Sequence, residues 1–326
     1  MFAAVFPGQG SQSIGMMSEL YSASSIVRDT FNEASSVLSY DLWALITDGP
    51  EAQLNDTLYT QPAMLVAGVA AWRFFISKTT LSPTIMAGHS LGEYTALVCS
   101  GALDFQGTID LVKYRAQLMR QAVPNNSGAM AAILGLDNLG VINACKAAEE
   151  GEIVEAVNFN APGQVVIAGE KSAVERAINL CKENGARRAM LLNVSIPSHC
   201  RLMHPAAKKL QKKLEEVNYN KVIIPVLNNV DVKLYSDKTS IIQGLTRQLY
   251  NPVRWAETMQ DIASKDIAIS VEFGPGGVLS GLAKRIDKSN QTIKFNTIDS
   301  FDNILLSKLA LNQVPPMGIF QLRSSV

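Results

Sequence analysis

Residues 86–93, MAGHSLGE, restrict the fold of this chain more than any other short segment. They follow an apolar run that begins after Pro83, and they lead into GEYTALVCSGAL, where apolar residues recur at helical spacing. A strand that passes through a sharp turn into a helix needs glycines where the two backbones approach closely. The segment therefore predicts a strand ending at Gly88, a turn at Ser90 and a helix over 92–103. Ser90 is a candidate nucleophile, and an ordinary helix-capping serine is the alternative.

The remaining patterns predict an α/β protein with an inserted small domain. A short strand over 2–6 is followed by mainly helical patterns over 13–75 and then by the strand and helix at Ser90. After a central segment, helix and strand patterns alternate, and the last predicted strand and helix cover 292–311. The central segment reads strand, helix, strand, strand, helix, strand, which is the ferredoxin-like order. We expect an α/β-hydrolase-like catalytic domain from residues 1–126 and 196–326, and a ferredoxin-like small domain from residues 127–195.

Composition excludes several classes of function. Lys plus Arg and Asp plus Glu number 29 each, and this balance argues against a nucleic-acid-binding protein. The longest apolar stretch, 63–72, is too short to cross a bilayer and predicts a buried helix instead. The first residues, MFAAVF, lack the basic start of an export signal. We expect a cytoplasmic protein that binds neither membranes nor nucleic acid and acts as a monomer.

The cysteines indicate neither a metal site nor a disulfide framework. Four are present, and no two have the C-x-x-C spacing. Cys99 and Cys145 lie in predicted helices, where a reduced core cysteine is the usual case. We expect no metal and no cofactor.

A serine nucleophile needs a base, and the chain has three histidines. The side chain of His89 should diverge from that of its neighbour Ser90, and His204 begins a predicted helix. His199 follows a predicted strand, where the loops of α/β active sites assemble, and is the favoured base. An unperturbed histidine would titrate near about pH 6–7.

The group that would orient this histidine is left open by the residue pattern. Asp104, Asp110 and Asp137 are carboxylate candidates with nothing to favour one of them, and a backbone carbonyl is the alternative. The glycine-rich loop PGQGSQ matches neither a dinucleotide nor a phosphate-loop motif. It is either an oxyanion donor beside the serine or a plain turn.

Arg115 lies beside the apolar stripe of a long predicted helix over 104–123. An arginine in such a position usually extends to solvent, and the pattern alone favours that interpretation. If the guanidinium points inward it requires an anionic partner, for which a substrate carboxylate is suited.

Ordered sequence blocks identify a resemblance to a known family. The blocks FPGQGSQ, GHSLGEYTALVCSGAL, VKYRAQLMRQAV, NFNAPGQVVIAG, VSIPSHCRLM, QLYNPVRW and EFGPGGVLSGL resemble the malonyl-CoA:acyl carrier protein transacylases of type II fatty acid synthesis. The match extends from about Phe2 to Ile286. It implies the fold given above, with the active site between the two domains.

The resemblance also assigns roles to residues. It implies Ser90 as nucleophile, His199 as base, Arg115 as the residue that binds the malonyl carboxylate, and the main-chain N–H groups of Gln9 and Leu91 as the oxyanion hole. Two further matches are Gln248, whose main-chain carbonyl would orient the histidine, and Asn160, near the substrate site.

The implied reaction moves malonyl from malonyl-CoA to the phosphopantetheine thiol of holo acyl carrier protein through a malonyl-serine ester. It uses no metal or redox cofactor. A serine thioesterase that passes the acyl group to water, and a non-catalytic carrier-protein-binding module, are the rival functions.

Overall fold

The computed structural model describes residues 1–124, 126–194 and 196–306. Its strands are β1 (Ala3–Phe6), β2 (Ile85–Gly88), β3 (Gly128–Leu134), β4 (Val154–Ala161), β5 (Gln164–Glu170), β6 (Arg188–Leu191), β7 (Val226–Leu227), β8 (Ile269–Phe273) and β9 (Gln291–Phe295). Its α-helices are α1 (Ser18–Ala23), α2 (Ser25–Leu38), α3 (Leu42–Asp48), α4 (Glu51–Leu54), α5 (Thr57–Lys78), α6 (Leu91–Cys99), α7 (Phe105–Gln121), α8 (Asn138–Ala148), α9 (Lys171–Glu183), α10 (His204–Glu216), α11 (Lys238–Gln248), α12 (Trp255–Ala263), α13 (Val278–Ile286) and α14 (Ile298–Leu306).

A parallel sheet with strand order β7-β2-β1-β8-β9 forms one half of the molecule. Side chains of β1 alternate between two cores: Phe6 packs with α5, and Val5 packs with α12 and α13. Every residue of β1 and β2 is buried, because helices cover both faces of the sheet. The apolar stretch within α5 is almost wholly buried, which confirms the predicted core helix.

An antiparallel sheet with strand order β4-β5-β3-β6 forms the other half. Apolar side chains of α8 and α9 cover one of its faces, with Ile133 and Val174 among the buried contacts. The order β3-α8-β4-β5-α9-β6 confirms the predicted sequence of elements. Asn158 of β4 bridges to Val253, so this sheet is also connected to the parallel half.

Several predicted elements are too long. The apolar run at 221–230 forms only the short strand β7, because Asn228 turns the chain by a hydrogen bond from its N–H to the carbonyl of Lys233, at 2.9 Å. The helix predicted to end at residue 103 ends at Cys99, before Gly101, whose φ is +80°. Positions 307–311 of the last predicted helix lie outside the described residues.

No helix in the described ranges has the length and hydropathy needed to cross a membrane. Cys99, Cys145, Cys181 and Cys200 are free thiols. Among the described residues, His, Cys, Asp and Glu form no group of three that could hold a metal ion.

Candidate active site

The turn between β2 and α6 holds Ser90 in a strained backbone conformation, with φ 52° and ψ −107°. A Cβ atom on Gly88 would lie 1.9 Å from the carbonyl carbon of Gly92, and one on Gly92 would lie 2.1 Å from the carbonyl oxygen of Phe6. Only glycine fits at either position. The predicted strand, turn and helix are confirmed, and the end of β1 packs directly against the turn.

Ser90 and His199 are in hydrogen-bond contact. The Ser90 Oγ lies 2.7 Å from the His199 Nε2, and the His199 Nδ1 lies 2.6 Å from the Gln248 main-chain oxygen. Since a carbonyl oxygen only accepts, the Nδ1 carries the proton and the Nε2 is free to accept from the serine hydroxyl. This is the arrangement of a nucleophile with its base.

The open question about the orienting group is resolved by the carbonyl. Asp104 accepts from the Gly107 N–H and Asp137 from the Gly140 N–H, so these two carboxylates cap α7 and α8. Asp110 is exposed on α7. None of the three carboxylates contacts the histidine among the hydrogen bonds of the described residues.

The other two histidines are occupied elsewhere. The His89 Nε2 lies 2.8 Å from the Asn160 Oδ1. His204 is exposed at the start of α10, and its ring stacks on Tyr250 with 4.0 Å between centroids. His199 is therefore the histidine that the structure brings to Ser90.

Burial and charge change the acid–base behaviour of His199. Only 3% of the residue is exposed. Desolvation, and secondarily the nearby guanidinium of Arg115, lower the pKa of His199 to about 3. The titration near about pH 6–7 expected of an unperturbed histidine therefore does not apply to His199, because the sequence does not show how deeply this loop is buried. The imidazole is neutral, as a general base must be.

Arg115 points inward, contrary to what the helical pattern alone favours. It is 2% exposed, and its Nη1 donates to the Gln61 Oε1 at 2.7 Å. Its Nη2 donates to the Gln248 Oε1 at 3.0 Å and reaches the Ser90 Oγ at 3.3 Å. Among the described residues no carboxylate pairs directly with this guanidinium, which lies beside the nucleophile, and desolvation lowers its pKa. It can receive an anionic group there.

A cavity of about 990 Å³ opens between the two sheets at these side chains. Its wall includes Ser90, His199 and Arg115 on one side and Met130 and Leu191 of the antiparallel sheet on the other. The cavity is large enough for a ligand of drug size or more.

Gln9 and Leu91, which the resemblance matches to an oxyanion hole, also line this cavity. The glycine loop lies against the turn, since a Cβ on Gly8 would be 2.5 Å from the His89 oxygen. In the described chain, the main-chain N–H of neither Gln9 nor Leu91 donates a hydrogen bond. Two free donors beside a serine are the elements of an oxyanion hole.

Asn160 is placed differently from the other predicted site residues. It is 9% exposed, and its Oδ1 is directed to His89. Asn158, two residues earlier on β4, lines the cavity instead. The register of β4 against β5 shifts between Ala156 and Asn158 and again between Phe159 and Ala161, and such irregularities change which side chains face the site. Direct substrate binding by Asn160 stays a prediction.

Four residues of this region were missed by sequence reasoning. They are Gln61, Glu93, Asn229 and Tyr235, which are joined to the site by side-chain hydrogen bonds. Of these four, only Glu93 could have been found from the sequence, since it is a charged residue in an otherwise apolar helix and would need a partner if buried.

Comparison with known proteins identifies the family to which the chain belongs. Residues 3–298 match the acyl transferase domain family. The chain is 57% identical to the malonyl CoA-acyl carrier protein transacylase of Haemophilus influenzae, over 93% of this chain and 97% of the relative. It is 52% identical to the Escherichia coli K12 protein of the same name, over 87% and 92%. This chain belongs to the malonyl CoA-acyl carrier protein transacylase family.

Solved structures of this transacylase family have the same fold. A malonyl-transacylase solved in complex with a type II polyketide synthase acyl carrier protein superposes with a TM-score of 0.93 at 53% identity, over 94% of this chain and 99% of the other. An acyl carrier protein S-malonyltransferase from Vibrio cholerae superposes with a TM-score of 0.91 at 53% identity, over 93% and 99%.

Proposed function

We propose that this transacylase moves malonyl from malonyl-CoA to the phosphopantetheine thiol of acyl carrier protein, in fatty acid synthesis, through an ester on Ser90. Membership of the family gives the acyltransferase activity and the carrier protein as partner. The observation that carries the residue assignment is the buried Arg115 guanidinium, 3.3 Å from the Ser90 Oγ. A carboxylate at the far end of a short acyl group can pair with it while the thioester carbonyl faces the serine.

In the first half-reaction the Ser90 Oγ attacks the thioester carbonyl carbon while the His199 Nε2 accepts the hydroxyl proton. The main-chain N–H groups of Gln9 and Leu91 donate to the oxyanion of the tetrahedral intermediate. The carbon–sulfur bond then breaks, and the proton on His199 passes to the departing CoA thiolate. A malonyl-serine ester and free CoA remain.

In the second half-reaction the thiol of the carrier protein gives its proton to His199 and attacks the ester carbonyl. The ester bond to Ser90 breaks, and the imidazolium returns the proton to the serine oxygen. The Gln248 carbonyl, 2.6 Å from the Nδ1, keeps the imidazole in one tautomer during both steps.

For the architecture we propose an α/β-hydrolase-like catalytic domain from residues 1–126 and 196–326 with a ferredoxin-like domain from residues 127–195. The strand order β6-β3-β5-β4, with every pair antiparallel, supports the second description. The parallel order around β1, with the nucleophile after β2, supports the first. A monomeric state and a cytoplasmic location stay predictions of the sequence.

The substitution Arg115→Ala tests the function through substrate choice. Losing one partner of a desolvated charge pair costs roughly 2–5 kcal/mol, or about 30- to several-thousand-fold in kcat/KM for malonyl-CoA. Acetyl-CoA has no carboxylate, so its transfer should be retained or improved. Arg115→Lys should give an intermediate loss, because a point charge keeps the attraction without the planar fork. The measurement is kcat/KM for both thioesters with purified holo acyl carrier protein.

Arg73 provides a matched control. It is an arginine on α5 that pairs with Glu33 at 2.7 Å, away from the cavity lining. Arg73→Ala should leave the ratio of the two kcat/KM values unchanged. An equally unchanged ratio in Arg115→Ala would reject Arg115 as the residue that selects malonyl.

A further inference from the structure

Glu93 is a buried carboxyl beside the nucleophile that the reaction above does not use. It is 0% exposed on α6, and its side chain does not line the cavity. Its Oε1 accepts from the Tyr235 hydroxyl, and its Oε2 accepts from the Gln248 Nε2 at 2.6 Å and from the Asn229 N–H at 3.3 Å. A buried carboxyl with three donors is well satisfied. Its partners, rather than the substrate, show what it does.

Gln248 joins this carboxyl to the groups that act on the substrate. Its Nε2 donates to Glu93 and to the Ser90 main-chain oxygen at 2.9 Å, while its Oε1 accepts from the Arg115 Nη2 at 3.0 Å. Its main-chain oxygen accepts from His199. If the carboxamide were rotated by half a turn, its NH₂ would face a guanidinium that also only donates. The orientation of this amide therefore decides whether Gln248 acts together with Gln61 in holding Arg115 beside Ser90.

Asn229 connects the same carboxyl to the turn. Its Oδ1 accepts from the Ser90 N–H at 2.7 Å, and its Nδ2 donates to the Gly88 carbonyl at 2.7 Å. Both contacts hold the strained backbone at the nucleophile. Glu93 thus contacts two residues that each bind the turn.

We propose that Glu93 is a positioning residue whose acceptor oxygen fixes the carboxamide of Gln248, so that Arg115 is aimed at the acyl carboxylate and malonyl is selected. The inference rests on the proposed malonyl transfer. This role requires no contact between Glu93 and the substrate. The neutral carboxamide of Gln248 lies between the Glu93 carboxyl and the Arg115 guanidinium. A direct ion pair would occupy the guanidinium, whereas the amide leaves it able to bind an anionic substrate.

The positioning role requires a hydrogen-bond acceptor oxygen on residue 93 and does not require a full negative charge. Burial raises the pKa of Glu93 to about 7, against the lowering effect of its hydrogen bonds. Burial thus favours the neutral form of the carboxyl, and the hydrogen bonds favour its ionised form. The oxygen that faces Gln248 can accept in both forms, since the Tyr235 hydroxyl can either donate to the other oxygen or accept from it.

Two substitutions, one that removes the charge and one that shortens the side chain, separate the effect of charge from that of reach. Glu93→Gln keeps an oxygen within reach of the Gln248 Nε2, and its new NH₂ can donate to the Tyr235 hydroxyl. Glu93→Asp keeps the charge but withdraws the acceptor by one methylene. We expect the ratio of kcat/KM for malonyl-CoA to that for acetyl-CoA to stay within about twofold in Glu93→Gln and to fall roughly 3- to 10-fold in Glu93→Asp, as for the loss of one hydrogen bond. The ratio does not depend on the fraction of folded enzyme, because both substrates are assayed on one preparation.

A second variant tests the route through Gln248. Gln248→Met keeps the main-chain oxygen that holds His199 but removes the carboxamide, so it should lower the same ratio. Glu93→Asp added to Gln248→Met should lower it no further, because the two changes break one chain of contacts. Additive losses would overturn the route.

Glu272 supplies the control for a buried carboxyl with a purely structural role. It is 1% exposed on β8 and accepts from the Leu279 N–H, the Ser280 N–H and the Ser280 hydroxyl at the start of α13. Glu272→Asp should lower the melting temperature and leave the substrate ratio unchanged. The inference would be overturned if Glu93→Asp also lowered only the melting temperature and left the substrate ratio unchanged. It would equally be overturned if the substrate ratio fell in Glu93→Gln but not in Glu93→Asp. A wild type that shows no preference for malonyl would instead refute the proposed function.

Discussion

Replacing Ser90 with alanine is expected to abolish the acyl-enzyme and to lower malonyl transfer by at least about 10⁴-fold. The Oγ forms the bond to the acyl group, and no other nucleophile lies in hydrogen-bond contact with the His199 Nε2 in the described structure. The fold should persist, because the loss of one hydroxyl leaves the glycines of the turn in place. Single-turnover acylation with labelled malonyl-CoA, followed by mass spectrometry of the intact protein, makes the measurement.

Ser100 is the matched control for this change. Its hydroxyl donates to the Leu97 carbonyl at the end of the same helix, and Ser100→Ala should leave acylation unchanged. Burial raises the pKa of the Cys200 thiol to about 12 and that of the Cys99 thiol well above its usual value, so neither should carry the label. Label on either cysteine would contradict the assignment.

His199→Ala has the second-largest expected effect. General-base help contributes typically about 10²- to 10⁴-fold, and the acylation rate should fall by that factor. Some activity should persist, since the oxyanion donors are main-chain groups. Pre-steady-state release of CoA measures the rate. His204→Ala, which changes an exposed histidine, should leave the rate unchanged, and a wild-type rate in His199→Ala would assign the base elsewhere.

The depressed pKa of His199 predicts the pH dependence of the wild type. A base whose pKa is lowered to about 3 stays unprotonated as the pH falls, and its activity is lost only when the pH approaches that value. The kcat/KM for acylation should therefore be nearly constant from about pH 8 to about pH 5, where an unperturbed histidine would lose most of its activity. A decline centred near the unperturbed value would show that the imidazole is more hydrated than its burial indicates.

The parts of the site that depend on backbone geometry could be predicted from short segments of the sequence. Gly88 and Gly92 are needed because a Cβ at either would overlap backbone atoms, and a motif of that kind is visible in one short segment. The order of elements in the antiparallel half was also predictable, because alternating and helical apolar patterns differ in period. The ends of strands could not be predicted in this way, as the short strand β7 illustrates.

The parts that depend on long-range packing could not be derived from local patterns. Arg115 is directed inward by Gln61 and Gln248, which lie 54 and 133 positions away in the sequence. The carbonyl that orients His199 belongs to a main chain 49 residues distant and leaves no trace in residue type. These roles were available only through resemblance to a family. Neither local patterns nor the family resemblance predicted the network around Glu93, since its members are joined by tertiary contacts alone.

The central claim is that malonyl passes through an ester on Ser90 on its way to the carrier protein. It is tested most directly by incubating the wild-type enzyme with malonyl-CoA, mapping the acylated peptide, and then adding holo acyl carrier protein. We predict one malonyl group on the peptide that contains Ser90, its loss when the carrier protein is added, and an equal gain of malonyl on the phosphopantetheine thiol. Malonylated carrier protein with no ester on that peptide, or an ester that is lost to water while the carrier protein stays unmodified, would contradict the account.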